Sequence, residues 1–183
     1  AYVRICDLRY VQILYAFTKI LDPTRPCVDA SGGYHTESTD LYDFHTYEGI
    51  IKTRKYLDAF EKEQKLIMPL LMPQRAECKA AEYRVGLPVM ASEYGGIAYN
   101  PNADGWGYAK AASSEELLGK VAELSKAYMD CPHLSGMCYT QLYDIEQEQN
   151  GLYYYDRTPK LNEKERESLR SVLMAQARIE EEN

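Results

Sequence analysis

Long apolar runs are missing from this sequence: none approaches the roughly 18 residues that a membrane span requires, so no membrane association is expected. A surplus of basic residues is missing as well. Lys and Arg total 21 against 28 Asp and Glu, a formal net charge of −7, which argues against nucleic acid as a partner. Cysteine is sparse: Cys6, Cys27, Cys78, Cys131 and Cys138 are scattered, odd in number and never spaced as Cys-x-x-Cys. A zinc site and a disulfide framework are therefore not expected. Buried free thiols are the better reading, and they leave the compartment open between cytoplasm and a periplasmic or secreted location. Internal repeats, low-complexity segments and linkers are absent too, and the acidic Glu180-Glu181-Glu182 end reads as solvated. The first residue is Ala rather than Met, and no charged-then-apolar leader follows it, so the sequence reads as a piece of a longer chain.

What is present suits one globular domain spanning 1–183, with 45% hydrophobic and 27% charged residues and enough length to bury a core. The unusual count is 17 Tyr beside 3 Phe and 1 Trp. Tyrosine offers a flat apolar face with a polar rim. That suits a wet pocket for sugars, which present one apolar face and a ring of hydroxyls. Half-buried tyrosines at the edge of a core are the plainer reading of the composition.

Strand-like and helix-like stretches alternate. Tyr2 to Leu21 reads as a helix with Ile13, Leu14, Phe17, Ile20 and Leu21 near a 3.6-residue period, stopped by Asp22-Pro23. Pro26 to Ala30 is a short strand candidate, followed by the Ser31-Gly32-Gly33 loop. Leu41 to Tyr47 is the second strand, and Glu48 to Lys65 a helix with Ile51, Tyr56, Leu57 and Phe60 on one face. Leu66 to Pro73 reads as a loop and Arg75 to Tyr83 as a helix. Pro88 to Ser92 is the third strand, and Gly95 to Ala112 a long loop holding Tyr99, Trp106 and Tyr108. Ser113 with Glu116 forms a capping box for a helix whose stripe is Leu117, Leu118, Val121, Leu124 and Tyr128. Gly136 to Leu142 is the fourth strand, and Asn162 with Glu165 opens a last helix running through Leu169, Val172, Leu173 and Ala177. Apolar strands separated by helices imply an α/β fold with a parallel sheet. About four strands are expected, whereas a closed (β/α)8 barrel needs eight and about 250 residues. A small open sheet or a partial TIM barrel fits the count.

The strongest local pattern is Leu87-Pro88-Val89-Met90-Ala91-Ser92-Glu93-Tyr94-Gly95-Gly96, an apolar strand ending in one carboxylate before two glycines turn the chain. Active sites of barrel enzymes are built at the C-terminal ends of strands, and a carboxylate there can serve as nucleophile or base. A structural salt bridge is the commoner use of such a residue.

Five stretches carry a wider likeness. They are Leu21-Asp22-Pro23-Thr24-Arg25-Pro26, Asp40-Leu41-Tyr42-Asp43-Phe44-His45-Thr46-Tyr47, Ser92-Glu93-Tyr94-Gly95-Gly96, Gln147-Glu148-Gln149-Asn150-Gly151-Leu152 and Tyr155-Asp156-Arg157-Thr158-Pro159-Lys160. Taken in order they resemble the C-terminal half of the catalytic barrel of glycoside hydrolase family 2, which holds β-galactosidases, β-glucuronidases and β-mannosidases. The resemblance implies that the four expected strands are the fifth to eighth of a barrel. It implies a retaining mechanism, in which one carboxylate attacks the anomeric carbon and a second, about 5 Å away, acts as acid and then base. Glu93 matches the nucleophile. Tyr47 matches a tyrosine whose hydroxyl bonds that nucleophile and keeps it ionised and aimed. The acid/base matches a Glu after an Asn at the end of the fourth barrel strand; no Asn-Glu pair precedes the opening helix, so that residue is expected outside this chain.

His45, two residues before Tyr47, shares its strand face and could contact a sugar hydroxyl, although a lone histidine is more often structural. His35 and His133 sit in turn-like contexts and are assigned no role. The family's tryptophan near the end of the eighth strand is replaced by Cys138-Tyr139-Thr140-Gln141-Leu142, so Tyr139 or Trp106 would supply the aromatic face, with Gln141 beside them. The Asn-x-Lys by which β-glucuronidases read a carboxylate is replaced by Glu148-Gln149-Asn150, with no cation. That favours neutral sugars and points to β-galactosidase. Asn100-x-Asn102-x-Asp104-Gly105 imitates a calcium loop, but its twelfth position is Ala111; an Asx-rich turn explains it, and neither metal nor cofactor is expected.

The reading is thus part of a retaining exo-β-glycosidase, with a carbohydrate substrate and self-association through an exposed half-barrel. The fragment alone is expected to be inactive. The alternative is a non-catalytic carbohydrate-binding or assembly module that keeps the fold without the chemistry.

Overall fold

The computed structural model describes residues 7–32, 34–66, 82–101 and 105–181. Helix α1 spans Leu8–Leu21; the Asp7 carboxylate accepts the Arg9 N–H at 3.0 Å, and the chain turns extended at Asp22 ahead of Pro23, which disfavours helix in the residue before it. The expected apolar stripe is present but uncovered: Ile13, Phe17 and Ile20 are 65%, 57% and 77% exposed, and no residue of α1 is buried.

Pro26 to Ala30 forms no strand. Its polar groups are taken locally. The Cys27 N–H donates to the Asp40 carboxylate at 2.8 Å, the Cys27 carbonyl accepts from the Asp40 N–H, and Asp29 accepts the Thr36 N–H at 2.6 Å. A backbone committed to such side-chain bonds has little left for a ladder.

Among the described residues the main sheet has three strands, where about four were expected, all parallel, in the order β1 (Tyr42–Thr46), β2 (Val89–Gly95) and β5 (Leu134–Thr140). Helix α2 (Ile50–Glu63) links the first pair and α3 (Ser114–Met129) the second, the β-α-β arrangement that adjacent parallel strands require. The 95–112 region, expected as loop, adds a two-residue parallel ladder between β3 (Ile97–Ala98) and β4 (Ala109–Lys110). α2 buries Thr53, Leu57 and Phe60, while Ile51, expected on that face, is 84% exposed. Burial selects residues four and three apart, and Ile51 falls outside that stripe. α3 buries Leu117, Val121, Leu124 and Tyr128 as expected; Leu118 is only partly buried.

Ser113 accepts the Glu116 N–H, but the Glu116 carboxylate reaches back to the Ala112 N–H, one residue short of a reciprocal box. α4 (Glu163–Leu173) has the full box between Asn162 and Glu165 and packs on α3 through buried Leu169. The helix expected over Arg75 to Tyr83 and most of the Leu66 to Pro73 loop lie outside the described residues; Glu82 and Tyr83 are not helical. The core joins Phe44 of β1 and Val89, Ala91 and Tyr94 of β2 to α2 and α3.

One irregularity positions the site. β1 and β2 pair Phe44 with Ala91 and then His45 with Glu93, so Ser92 is an extra residue. Ala91 and Tyr94 on either side of this bulge are buried in the core. Ser92 and Glu93 both turn to the face that carries Asp43 and His45: Ser92 bonds Asp43, and Glu93 meets His45.

Candidate active site

Glu93 stands near the C-terminal end of β2 with its side chain 40% exposed. Oε2 of its carboxylate accepts a short hydrogen bond from the Tyr47 hydroxyl and lies 3.2 Å from His45 Nδ1. Tyr47 and His45 share a face because side chains two apart on a strand point the same way. Burial first, and then the bond to Glu93, push the Tyr47 hydroxyl far above the usual tyrosine range, against an opposing bond from Thr140. Tyr47 therefore remains a protonated donor at any ordinary pH.

Tyr47 also stacks on Tyr108, with centroids 3.7 Å apart and planes 4° from parallel, and Trp106 stands edge-on to Tyr108 at 5.7 Å. Trp106 and Tyr108 are 47% and 49% exposed. The three rings form an aromatic ledge beside Glu93, part apolar face and part polar rim. Gly96, at φ +60°, makes the stack possible: a Cβ there would lie 2.6 Å from the Tyr108 ring and 2.7 Å from the Tyr47 ring. Tyr108 was not singled out from the sequence. The signal was its position twelve residues after the Gly95-Gly96 turn, legible only once the β3–β4 ladder folds that stretch back.

Tyr139 and Gln141 do not join this cluster. The Tyr139 ring lies on Gly95 and edge-on to Tyr94 at 5.6 Å, packed against the core, and its hydroxyl donates to the Asn150 carbonyl at 3.2 Å. The aromatic face beside Glu93 is thus Tyr47, Tyr108 and Trp106. Gln141 follows a cis peptide and bonds Asn150 through its backbone at 3.3 Å; its buried amide nitrogen has no partner among the described residues. Glu148 accepts the Asn150 amide at 2.9 Å in a segment that pairs with the Trp106 backbone, with Trp106 N–H to the Gln147 carbonyl at 2.9 Å. Burial, then Glu148, then Glu93 raise the Tyr108 hydroxyl, so both carboxylates lie within electrostatic reach of the ledge.

Beneath Glu93 is a buried polar network that the sequence reading missed. His35, fully buried, bonds Asp29 through Nδ1 at 2.8 Å and lies 3.1 Å from an Asp43 oxygen through Nε2. Burial opposes charge on this imidazole, but the bonds to Asp29 and Asp43 outweigh it and push the ring up to about 9. Burial likewise opposes charge on Asp29, yet its bonds to His35 and Thr36 bring the carboxyl down to about 2. His35 looked like a turn residue; the usable signal was Asp43, on the strand face of His45 and Tyr47 where an apolar residue would be usual. His133 sits edge-on to Phe60 at 5.7 Å, away from the site. No cluster of three or more His, Cys, Asp or Glu side chains among the described residues is arranged to hold a metal ion. Residues 102–104 of the calcium-like turn lie outside them. No described helix is long and apolar enough to cross a membrane.

No protein-family model matches the sequence, and no curated protein does. Solved structures do match in fold. A β-glucuronidase from an uncultured Clostridium species aligns over 89% of this chain and 29% of its own, at 17% identity and a TM-score of 0.56. An exo-β-agarase aligns over 93% of this chain and 22% of its own, at 12% identity and 0.58. The β-glucuronidase of Faecalibacterium prausnitzii aligns over 90% and 28%, at 18% identity and 0.55. The chain spans less than a third of each of these proteins. Its parallel strands and helices share the fold of these solved glycosidases and are consistent with part of a barrel.

Proposed function

We propose that this chain is the C-terminal half of the barrel of a retaining exo-β-glycosidase of the glycoside hydrolase family 2 type, with Glu93 as nucleophile. One observation carries the reading: a half-exposed carboxylate at a strand end, fixed by a tyrosine hydroxyl and flanked by exposed stacked rings. Glu93 attacks the anomeric carbon and forms a glycosyl ester while the aglycone oxygen takes a proton; water then cleaves the ester with retention. Tyr47 keeps one carboxylate oxygen occupied and leaves the other to attack. The acid/base Glu belongs to a part of the protein outside this chain, so the chain alone turns over unactivated glycosides poorly. No metal or cofactor takes part.

The substrate of the whole protein is a terminal neutral β-linked sugar, with a β-galactoside the leading candidate. Glu148, beside Trp106, sets a negative charge at the edge of the ledge, and a uronate carboxylate brought there would be repelled. This separates the proposal from the β-glucuronidases that share the fold.

Incubation with an activated 2-fluoro-galactosyl donor tests the nucleophile alone, because its leaving group departs without acid assistance. The expected result is an intact-mass increase of one fluorosugar mapped to Glu93 and lost in Glu93→Gln. No adduct on either this chain or the parent protein would favour the binding-module alternative or a different sugar.

A further inference from the structure

Asp43 lies two residues before His45 on the same face of β1, and its carboxylate is 1% exposed. Donors converge on it: the Gly32 N–H at 3.0 and 2.9 Å from its two oxygens, the Ser31 hydroxyl at 3.2 Å, the Ser92 hydroxyl, and His35 Nε2 at 3.1 Å. Ser31 Oγ is also 3.1 Å from His45 Nε2. A continuous line of contacts therefore runs from Asp29 through His35, Asp43, Ser31 and His45 to Glu93. The same turn fixes the His45 ring sterically: a Cβ at Gly32, whose φ is +62°, would lie 2.2 Å from it.

Two buried acids and a buried imidazole are a costly way to fill space. Apolar side chains would hold β1 to the 29–36 loop with less desolvation. What the polar line provides is direction, and its open end is Glu93. We propose that Asp43, braced by Asp29 and His35, is a positioning residue for Glu93, acting through Ser31 and His45 to keep a ring N–H of His45 aimed at the Glu93 carboxylate. The inference rests on the reading of Glu93 as the reacting group.

The chemistry follows from donor counting. Ser31 has one hydroxyl proton. When Asp43 takes it, Ser31 Oγ is left as an acceptor for His45 Nε2–H. His45 Nδ1 can then face a carboxylate only if it also carries hydrogen, so both ring nitrogens donate. Once Glu93 is esterified by sugar, the Nδ1 proton loses its anionic partner, and the ring is held by Ser31, by the close Gly32 turn and by Asp43, whose carboxylate lies 3.8 Å from Nε2. Asp43 thus keeps His45 in place through a cycle in which its other partner changes charge.

The test is ring nitrogen NMR on the uniformly 15N-labelled 183-residue chain, whose 3 histidines are assigned with His35→Gln, His45→Gln and His133→Gln. In the parent sequence, His45 is expected to show the hydrogen pattern of a ring that donates from both nitrogens. Ser31→Ala, which leaves the Asp29–His35–Asp43 contacts in place, is expected to remove one ring proton from His45 and leave the His35 signals unchanged. Asp43→Asn should remove the same proton and also perturb His35. Should Asp43→Asn fail to fold, Ser31→Ala decides alone. An unchanged His45 pattern in Ser31→Ala, with a changed one in Glu93→Gln, would overturn the relay and leave His45 answering to Glu93 only. Failure of covalent labelling at Glu93 is read in a separate experiment, so loss of the glycosidase reading and loss of the relay are distinguishable.

Discussion

Protonation of His35 ties the stability of the polar network to pH. Its folded value of about 9 stands above its ordinary 6.5. A raised value means that the folded state binds the proton more tightly, so this contribution is full below about 6.5 and is lost as pH rises through 9. Asp29 works in the other direction. Its value of about 2, against an ordinary 3.8, gives stability that is present above 3.8 and lost as pH falls through 2. The thermal midpoint is therefore expected to drop between pH 6.5 and pH 9, and His35→Gln should flatten that segment of the profile. An equal slope in the variant would assign the drop to other groups. Glu93 and Tyr47 were legible at this scale through the motifs that hold them, although strict alternation would set Glu93 on the core face with Ala91 and only the bulge at Ser92 turns it outward. Asp29 and His35 were not, because side-chain bonds across a loop have no period.

Among the elements, the last helix had the best defined start in advance, although it ends at Leu173 rather than running through Ala177. Asn162 and Glu165 sit at the spacing of a capping box, and both halves form: the Glu165 N–H donates to Asn162 at 2.9 Å, and the Asn162 N–H to Glu165 at 2.8 Å. Asn162→Ala is expected to destabilise the chain by about 1 kcal/mol, measured by urea unfolding. Glu165 also accepts from the Ser114 hydroxyl at 2.9 Å, so a larger loss would show that the box helps to join α4 to α3. α3 and α4 carried their own start signals in this way, whereas α2 follows Gly49 with no side-chain cap. Short strands did not. Pro26 to Ala30 had the composition of a strand and spent its hydrogen bonds on Asp40, while the β3–β4 ladder pairs residues too few to leave a pattern.

The whole molecule leaves two kinds of surface unfinished. Among the described residues, α1 presents Tyr10, Ile13, Phe17, Ile20 and Leu21 to solvent, and β1 and β5 are the edges of a three-stranded sheet. Apolar patches and open edges favour association. The isolated chain is therefore expected to self-associate at tens of micromolar in light scattering, and a clean monomer there would count against it. Parallel β-α order and the helix-covered face could be read from alternating hydrophobic stretches. The number of strands could not, since it depends on which short segments find a ladder partner.

The additional residue in β2 has a further meaning for the charges of the site. Up to Ala91 the strand counts in one phase, odd positions inward to the core; from Tyr94 onward it counts in the other. That change of phase gives two successive side chains, Ser92 and Glu93, the same outlook. One donates its hydroxyl to Asp43; the other stands one step further along, at the mouth. Without the inserted residue a single position would have to serve both, and a carboxylate there would meet Asp43 directly. The two carboxylates are kept apart by a miscount of one, which leaves Glu93 its opening to solvent.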